Sequence, residues 1–87
     1  MSIEMEQEIQ NKVFIMLSGV CKLSIEDIHI DANLVDDLGL DSIRFLELMA
    51  EIEETFSFQL EVEDLHPELF QTVLSVVRFI RKRTDQL

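Results

Sequence analysis

Apolar residues along the chain recur at helical spacing in three places. Ile9, Val13, Met16, Leu17 and Val20 fall at i, i+4, i+7, i+8 and i+11, and predict a first helix over about residues 3–20, with Gly19 near its end. Phe45, Leu48, Met49, Ile52 and Phe56 repeat in the same way and predict a second helix over about residues 42–57. Asp41 stands before it as an N-cap, a carboxylate able to accept from the free N–H groups of the first turn. Val73, Val76, Val77 and Ile80 predict a last helix capped by Thr72, and Arg81, Lys82 and Arg83 fall in its final turn, where cations suit the negative end of the helix dipole.

The remaining segments are shorter or less regular. A short turn of helix is expected over residues 63–69, and Phe58, Leu60, Val62 and Leu65 are expected to close the bundle between it and the second helix. Residues 21–40 carry no sustained stripe. Ile28 and Ile30 alternate briefly as in a strand, but no second alternating run offers a partner. Two glycines, Gly19 and Gly39, and one proline, Pro67, leave long stretches without breakers. The expected fold is all-α: a small four-helix bundle of three main helices, a short fourth and a long first loop, forming one domain over residues 1–87.

Charge narrows the classes of function. The chain has 18 acidic and 7 basic side chains, a net charge of −11 and a pI near 4.3. Such a chain repels phosphate backbones and anionic lipid surfaces, which are bound by clustered Lys and Arg, so neither nucleic acid nor membrane is an expected partner. With 47% hydrophobic residues it has enough apolar surface to fold despite that charge. Cys21 is the only cysteine, which excludes an internal disulfide and a Cys-rich metal site, and its spacing from Leu17 marks it as a small core residue. Glu4, Glu6 and Glu8 do not make the basic start of a secretory signal, and the longest apolar run, from Val13 to Leu17, is far short of a membrane span, so a cytoplasmic protein is expected.

Candidate chemistry centres on the run Asp36, Asp37, Leu38, Gly39, Leu40, Asp41, Ser42, Ile43. A glycine turn and an acidic cap deliver Ser42 to the first turn of an amphipathic helix, with its hydroxyl able to point outward. A phosphoryl group there would lie by free N–H groups and the positive end of the helix dipole, an arrangement that favours anions. Serine is also common at helix starts as a cap or filler. Along the same helix Arg44, Glu47, Glu51 and Glu54 fall at i, i+3, i+7 and i+10, opposite the apolar stripe, and residues 36–64 hold ten acids against one base. Such a face is a solvated helix surface or a docking surface for basic patches, where charge complementarity speeds encounters while each exposed pair adds only ~0.2–1 kcal/mol.

The run over residues 36–56, DDLGLDSIRFLELMAEIEETF, closely resembles acyl carrier proteins, with their L-G-x-D-S-[LI] motif followed by an amphipathic helix. Asn33, Leu34 and Val35 resemble the family's lead-in from its first loop, Thr72 and Val73 its start of the last helix, and the first stripe its first helix, so the resemblance spans nearly the whole chain. It implies a non-catalytic carrier. The serine matching Ser42 is joined in that family to 4'-phosphopantetheine, donated from coenzyme A by a separate Mg-dependent phosphopantetheinyl transferase, and the terminal thiol carries acyl or aminoacyl groups as thioesters. The resemblance places Gly39, Asp41 and Ile43 beside the attachment, Asp41 aiding recognition by the transferase and Ile43 giving an apolar contact. It places docking of acyltransferase, ketosynthase or adenylating enzymes with basic patches on Ile43, Arg44, Glu47, Ala50, Glu51 and Glu54, with the carrier a monomer.

Arg44 departs from the acidic residue that many fatty-acid carriers have after the motif. Pairing with Glu47 at i+3 is expected, in preference to contact with a phosphodiester. With the approach to the last helix over residues 68–73, Arg44 points to polyketide or mixed polyketide and nonribosomal-peptide pathways, with fatty-acid synthesis as the alternative, and an unmodified acidic interaction module as the alternative of another class. No Ca loop is encoded, because a loop begun at Asp31 would put Val35 and Asp36 at its fifth and sixth positions and Ser42 at its twelfth. His29 and His66 lack the context of a serine hydrolase: His29 reads as a loop residue, and His66 with Pro67 shapes the start of the short helix.

Overall fold

The three apolar stripes face one another. The computed structural model describes residues 3–85, and among them the α-helices are α1 (Ile3–Cys21), α2 (Ser42–Phe56) and α3 (Val73–Asp85). α1 packs against both α2 and α3. Val13 and Leu17 of α1, Leu48 and Ile52 of α2, and Val73, Val76 and Ile80 of α3 have no solvent-exposed surface. Burial of each such side chain contributes about 1.5–3 kcal/mol. Cys21 is buried, as its spacing predicted. The all-α expectation holds: among the described residues the one β pairing is an isolated bridge between Asn33 and Thr72.

Helix ends differ in detail from the sequence pattern. α1 runs through Gly19 and stops at Lys22, which takes φ +57, with the Leu23 N–H donating to the Ser18 carbonyl at 3.1 Å, a left-handed cap made without glycine. α2 stops in the same conformation at Ser57, φ +58. Thr72 caps α3 as expected: its Oγ1 accepts from the Ser75 N–H at 3.1 Å, and Ser75 Oγ accepts from the Thr72 N–H at 2.9 Å.

The expected short helix is instead two 3₁₀ turns, Val62–Asp64 and Pro67–Phe70. Pro67 disfavours helical backbone in the residue before it, and His66 is extended there. The break turns Val62 outward at 89% exposure and leaves Leu65 at 46%, so these two do not close the bundle as predicted; Phe58 is buried and Leu60 packs partly buried against the core.

The first loop holds another short 3₁₀ turn, Ile25–Asp27, and zips onto the start of α3. Leu34 donates to the Gln71 carbonyl at 3.0 Å, Val73 to Ala32 at 3.1 Å and Leu74 to Ile30 at 2.8 Å. Leu40 in turn donates to the Leu34 carbonyl at 2.9 Å, just before α2, so α2 and α3 start at the same end of the molecule. They also finish together: the Arg83 guanidinium lies 4.9 Å from the centre of the Phe58 ring, donates to the Gln59 carbonyl at 3.1 Å and pairs with Asp64. Burial alone pushes the Asp64 carboxyl up, but the Glu61 N–H, Arg83 and the nearby His66 outweigh it and hold the group below its ordinary value.

A depressed folded-state pKa contributes stability above the unfolded value of about 3.9 and loses it as pH falls through the lower folded value. The stability difference between wild type and Asp64→Asn, measured by urea unfolding, is therefore expected to be full at pH 7 and to shrink as pH drops below 4.

Candidate functional site

Ser42 reaches its place through a loop that one residue organises. Asn33 Oδ1 accepts from the N–H groups of Val35 at 3.0 Å and Asp36 at 2.8 Å, its own N–H donates to Asp37 Oδ2 at 2.7 Å, and its carbonyl accepts from Asp37 and Leu38. This turn buries Leu34, Leu38 and Leu40 while leaving Val35, Asp36 and Asp37 outside. Gly39 then takes φ +73, a conformation that a Cβ would strain, and brings the chain to Asp41. Asp41 Oδ1 accepts from the Arg44 N–H at 2.8 Å and fixes the start of α2, so the predicted cap is present.

Ser42 is the first residue of α2 and is exposed. Its position distinguishes it from the other described serines. Ser18 and Ser75 are half-buried and hydrogen-bonded to backbone, while Ser24 and Ser57 flank a 3₁₀ turn and a helix end. Beside Ser42 lies an open cavity of about 950 Å³, floored by Leu40, Phe45 and Phe70 and walled across from α2 by Leu65 and His66. Phe45 and Phe70 meet edge to face at 5.4 Å, and Phe70 meets Phe79 of α3 at 5.4 Å, which seats the floor on the core.

The predicted residues divide between this cavity and the outer side of α2. Asp41 and Ser42 line the cavity; Ile43 is 70% exposed next to them. Glu47, Ala50 and Glu51 line a smaller groove, of about 540 Å³, against Lys12, Ile15 and Gly19 of α1, and Glu54 lies beyond it near Ser57 and Phe58. Arg44 is half-buried and forms no ion pair within 4 Å among the described residues, so the expected Arg44–Glu47 pair is absent. Arg44 instead lies close enough to Cys21 to act on it. Burial pushes the Cys21 thiol up, Arg44 pulls the other way and Asp41 adds to the rise; the neutral thiol is a core group. His29 is exposed on the first loop, away from the residues lining this cavity.

Sequence reasoning missed two contributors. Leu46, 67% exposed on α2, and Val35, 61% exposed, line the cavity beside Ser42 together with Leu65, and Ile43 is exposed next to them. Leu46 sits four residues after Ser42, outside the buried stripe, and that placement is its signal. No group of three or more His, Cys, Asp or Glu able to hold a metal occurs among the described residues.

The family profile of the phosphopantetheine attachment site matches residues 11–80 of this chain. The chain is 34% identical to an acyl carrier protein of Desulforapulum autotrophicum over 94% of its own length and 100% of that protein, and 38% identical to one of Lactobacillus johnsonii over 92% and 98%. It is 36% identical to an acyl carrier protein of Onion yellows phytoplasma over 84% and 93%. The chain therefore belongs to the acyl carrier protein family, and the group it is built to hold is 4'-phosphopantetheine. An exposed hydroxyl at a helix start, with an open apolar cavity beside it, fits attachment of a long, flexible arm.

Replacing the Asp41 cap by Ala is expected to cost about 0.5–2 kcal/mol in urea unfolding, with Asp41→Asn nearly neutral, because either Asp or Asn accepts from the Arg44 N–H.

Proposed function

We propose that this protein is one carrier domain spanning residues 1–87, in which the Ser42 hydroxyl receives 4'-phosphopantetheine from coenzyme A through a phosphopantetheinyl transferase. The bound group supplies a terminal thiol that carries acyl or aminoacyl cargo as a thioester. The observation that carries this reading is the position of Ser42: exposed, first in α2 and beside the apolar cavity, within the matched family region. Asp41 holds the helix start rigid, Gly39 supplies the turn before it, and Ile43 offers apolar contact. The free N–H groups at the start of α2 favour negative charge on the Ser42 oxygen's new substituent.

The chain itself catalyses nothing in this scheme; acyltransferase, ketosynthase or adenylating enzymes act on the cargo. Their basic patches meet Glu47, Glu51 and Glu54, in brief encounters that exposed charges favour, with Ile43, Arg44 and Ala50 on the same docking face. A cytoplasmic monomer suits that traffic, and no described helix is long and apolar enough to cross a membrane. We assign the pathway to polyketide or mixed polyketide and nonribosomal-peptide synthesis because Arg44, at the first turn of α2 and without an ion pair among the described residues, breaks the negative face where a fatty-acid carrier commonly has an acid. Fatty-acid synthesis is the second reading, favoured by near full-length similarity to proteins named simply acyl carrier protein.

Incubation with coenzyme A, Mg and a broad-specificity transferase is expected to add one phosphopantetheine to the intact mass of wild type and none to Ser42→Ala; addition to both variants, or to neither, sinks the assignment. Glu47→Lys is expected to raise KM for a partner enzyme at low salt by roughly 1.5- to 5-fold per lost charge contact with little change in unfolding midpoint, and unchanged kinetics would count against the acidic docking face.

A further inference from the structure

The segment after α2 carries Leu65 and His66 to the cavity beside Ser42, and one side chain near the end of α3 holds that segment in place. Arg83 donates through Nη1 to the Asp64 carboxylate and through Nη2 to the Gln59 carbonyl at 3.1 Å, while its guanidinium covers the Phe58 ring. The same Asp64 oxygen accepts from the Glu61 N–H at 2.8 Å, so the Arg83 contact also braces the 3₁₀ turn over Val62–Asp64. The Arg83 and Asp64 side chains are 21% and 15% exposed, against 40% and 43% for the surface pair Arg81–Glu6, and a covered charge-assisted pair is screened less.

Besides this clamp, the Leu60 N–H donates to Glu53 Oε2 at 2.8 Å, and Leu60 and Leu69 pack partly buried against the core, which leaves the residues between them the least held. Val62, Leu65, His66 and Glu68 are exposed, and the Leu65 N–H is held only within its own turn, to the Val62 carbonyl at 3.1 Å. Segments with few buried contacts open first. Lysine could supply the charge at position 83, but not a planar fork that bonds two acceptors while covering a ring.

We propose that Arg83 is a positioning residue for the site at Ser42: by clamping Phe58, Gln59 and Asp64 it fixes the wall made by Leu65 and His66, and so sets how closely a group tethered to Ser42 is held against the protein. The role toward Ser42 rests on the attachment proposed above; the clamp itself does not. A basic residue whose position near the end of α3 suggests only a dipole partner thereby acts on a site built at the opposite end of α2.

Amide hydrogen exchange on the unmodified protein tests the clamp. Arg83→Ala is expected to speed exchange at Asp64 and Leu65 by about tenfold while Val13 and Leu17 of α1 keep their protection, with Arg83→Lys falling between. Unchanged exchange at Asp64 and Leu65 overturns the clamp, and Asp64→Asn, which preserves the shape of the side chain, decides the matter should Arg83→Ala loosen α1 as well. The second arm uses protein charged from octanoyl coenzyme A by the transferase. Hydroxylamine is expected to cleave the octanoyl thioester several-fold faster in Arg83→Ala than in wild type, and equal rates in a variant whose Asp64 and Leu65 amides exchange faster overturn the positioning role. A wild-type chain that gains no octanoyl-phosphopantetheine mass overturns the attachment to Ser42 and the role built on it, a result separate from the exchange measurement.

Discussion

Everything that places Ser42 depends on the hydrogen bonds of Asn33. Beyond one short 3₁₀ turn and one isolated bridge, the loop before α2 has no regular element to satisfy its backbone, and buried unpaired N–H or C=O groups would cost about 1–3 kcal/mol each. The Asn33 side chain and backbone meet Val35, Asp36, Asp37 and Leu38, and its neighbours Ala32 and Leu34 reach Val73 and Gln71 at the start of α3. With those bonds made, Leu34, Leu38 and Leu40 can be buried, and burial of Leu40 fixes where Asp41 and Ser42 emerge. A small polar knot thus anchors an apolar loop, and the apolar loop aims a helix.

The surface around Ser42 joins two properties that usually oppose each other. Val35, Ile43, Leu46 and Leu65 are exposed near one serine, a patch that would invite association on a neutral protein. The chain's net charge of −11 opposes close approach of like copies while attracting cations. That charge is uneven: residues 1–77 hold 17 acids and 3 bases, whereas residues 78–87 hold Arg78, Arg81, Lys82 and Arg83 against Asp85. Two of those cations are engaged at home, Arg81 with Glu6 and Arg83 with Asp64, so the basic end is partly spent on holding the fold.

The helices were legible in the sequence because each buries a stripe, and a stripe leaves a period. Gly39 and Asp41 are legible for a local reason, since capping and a positive φ demand particular residue types at adjacent positions, whereas Ser42 stands out as a site only through the resemblance of residues 36–56 to acyl carrier proteins. Other features depend on partners far along the chain. The segment around the Asn33–Thr72 bridge pairs Ile30, Ala32 and Leu34 with the start of α3, whereas the sequence shows only the brief Ile28–Ile30 alternation without a partner. Pro67, with His66, shapes the start of a 3₁₀ turn as its position suggests, but the same restriction on His66 separates that turn from Val62–Asp64, where Val62 and Leu65 are left exposed. Arg83 could be read as a helix-end cation, but not as reaching Gln59 and Asp64, because nothing local encodes that contact. Arg44 shows the reverse error: correct spacing for a pair with Glu47 did not produce one.

Because α2 and α3 begin and finish together, the chain between them cannot turn back through a tight hairpin; it must travel the length of α2, about 22 Å at 1.5 Å per residue, before α3 can start. That return journey is the stretch from Ser57 to Thr72, and the cavity wall is a by-product of it. The same-direction pair of helices therefore requires a connecting strip tied to the packed interior at Phe58, Leu60, Leu69 and Phe70 and open to solvent between those points. Leu65, His66 and Glu68 are exposed on that strip, so the neighbourhood of Ser42 can be re-tailored there without repacking Leu48, Ile52 or Val76.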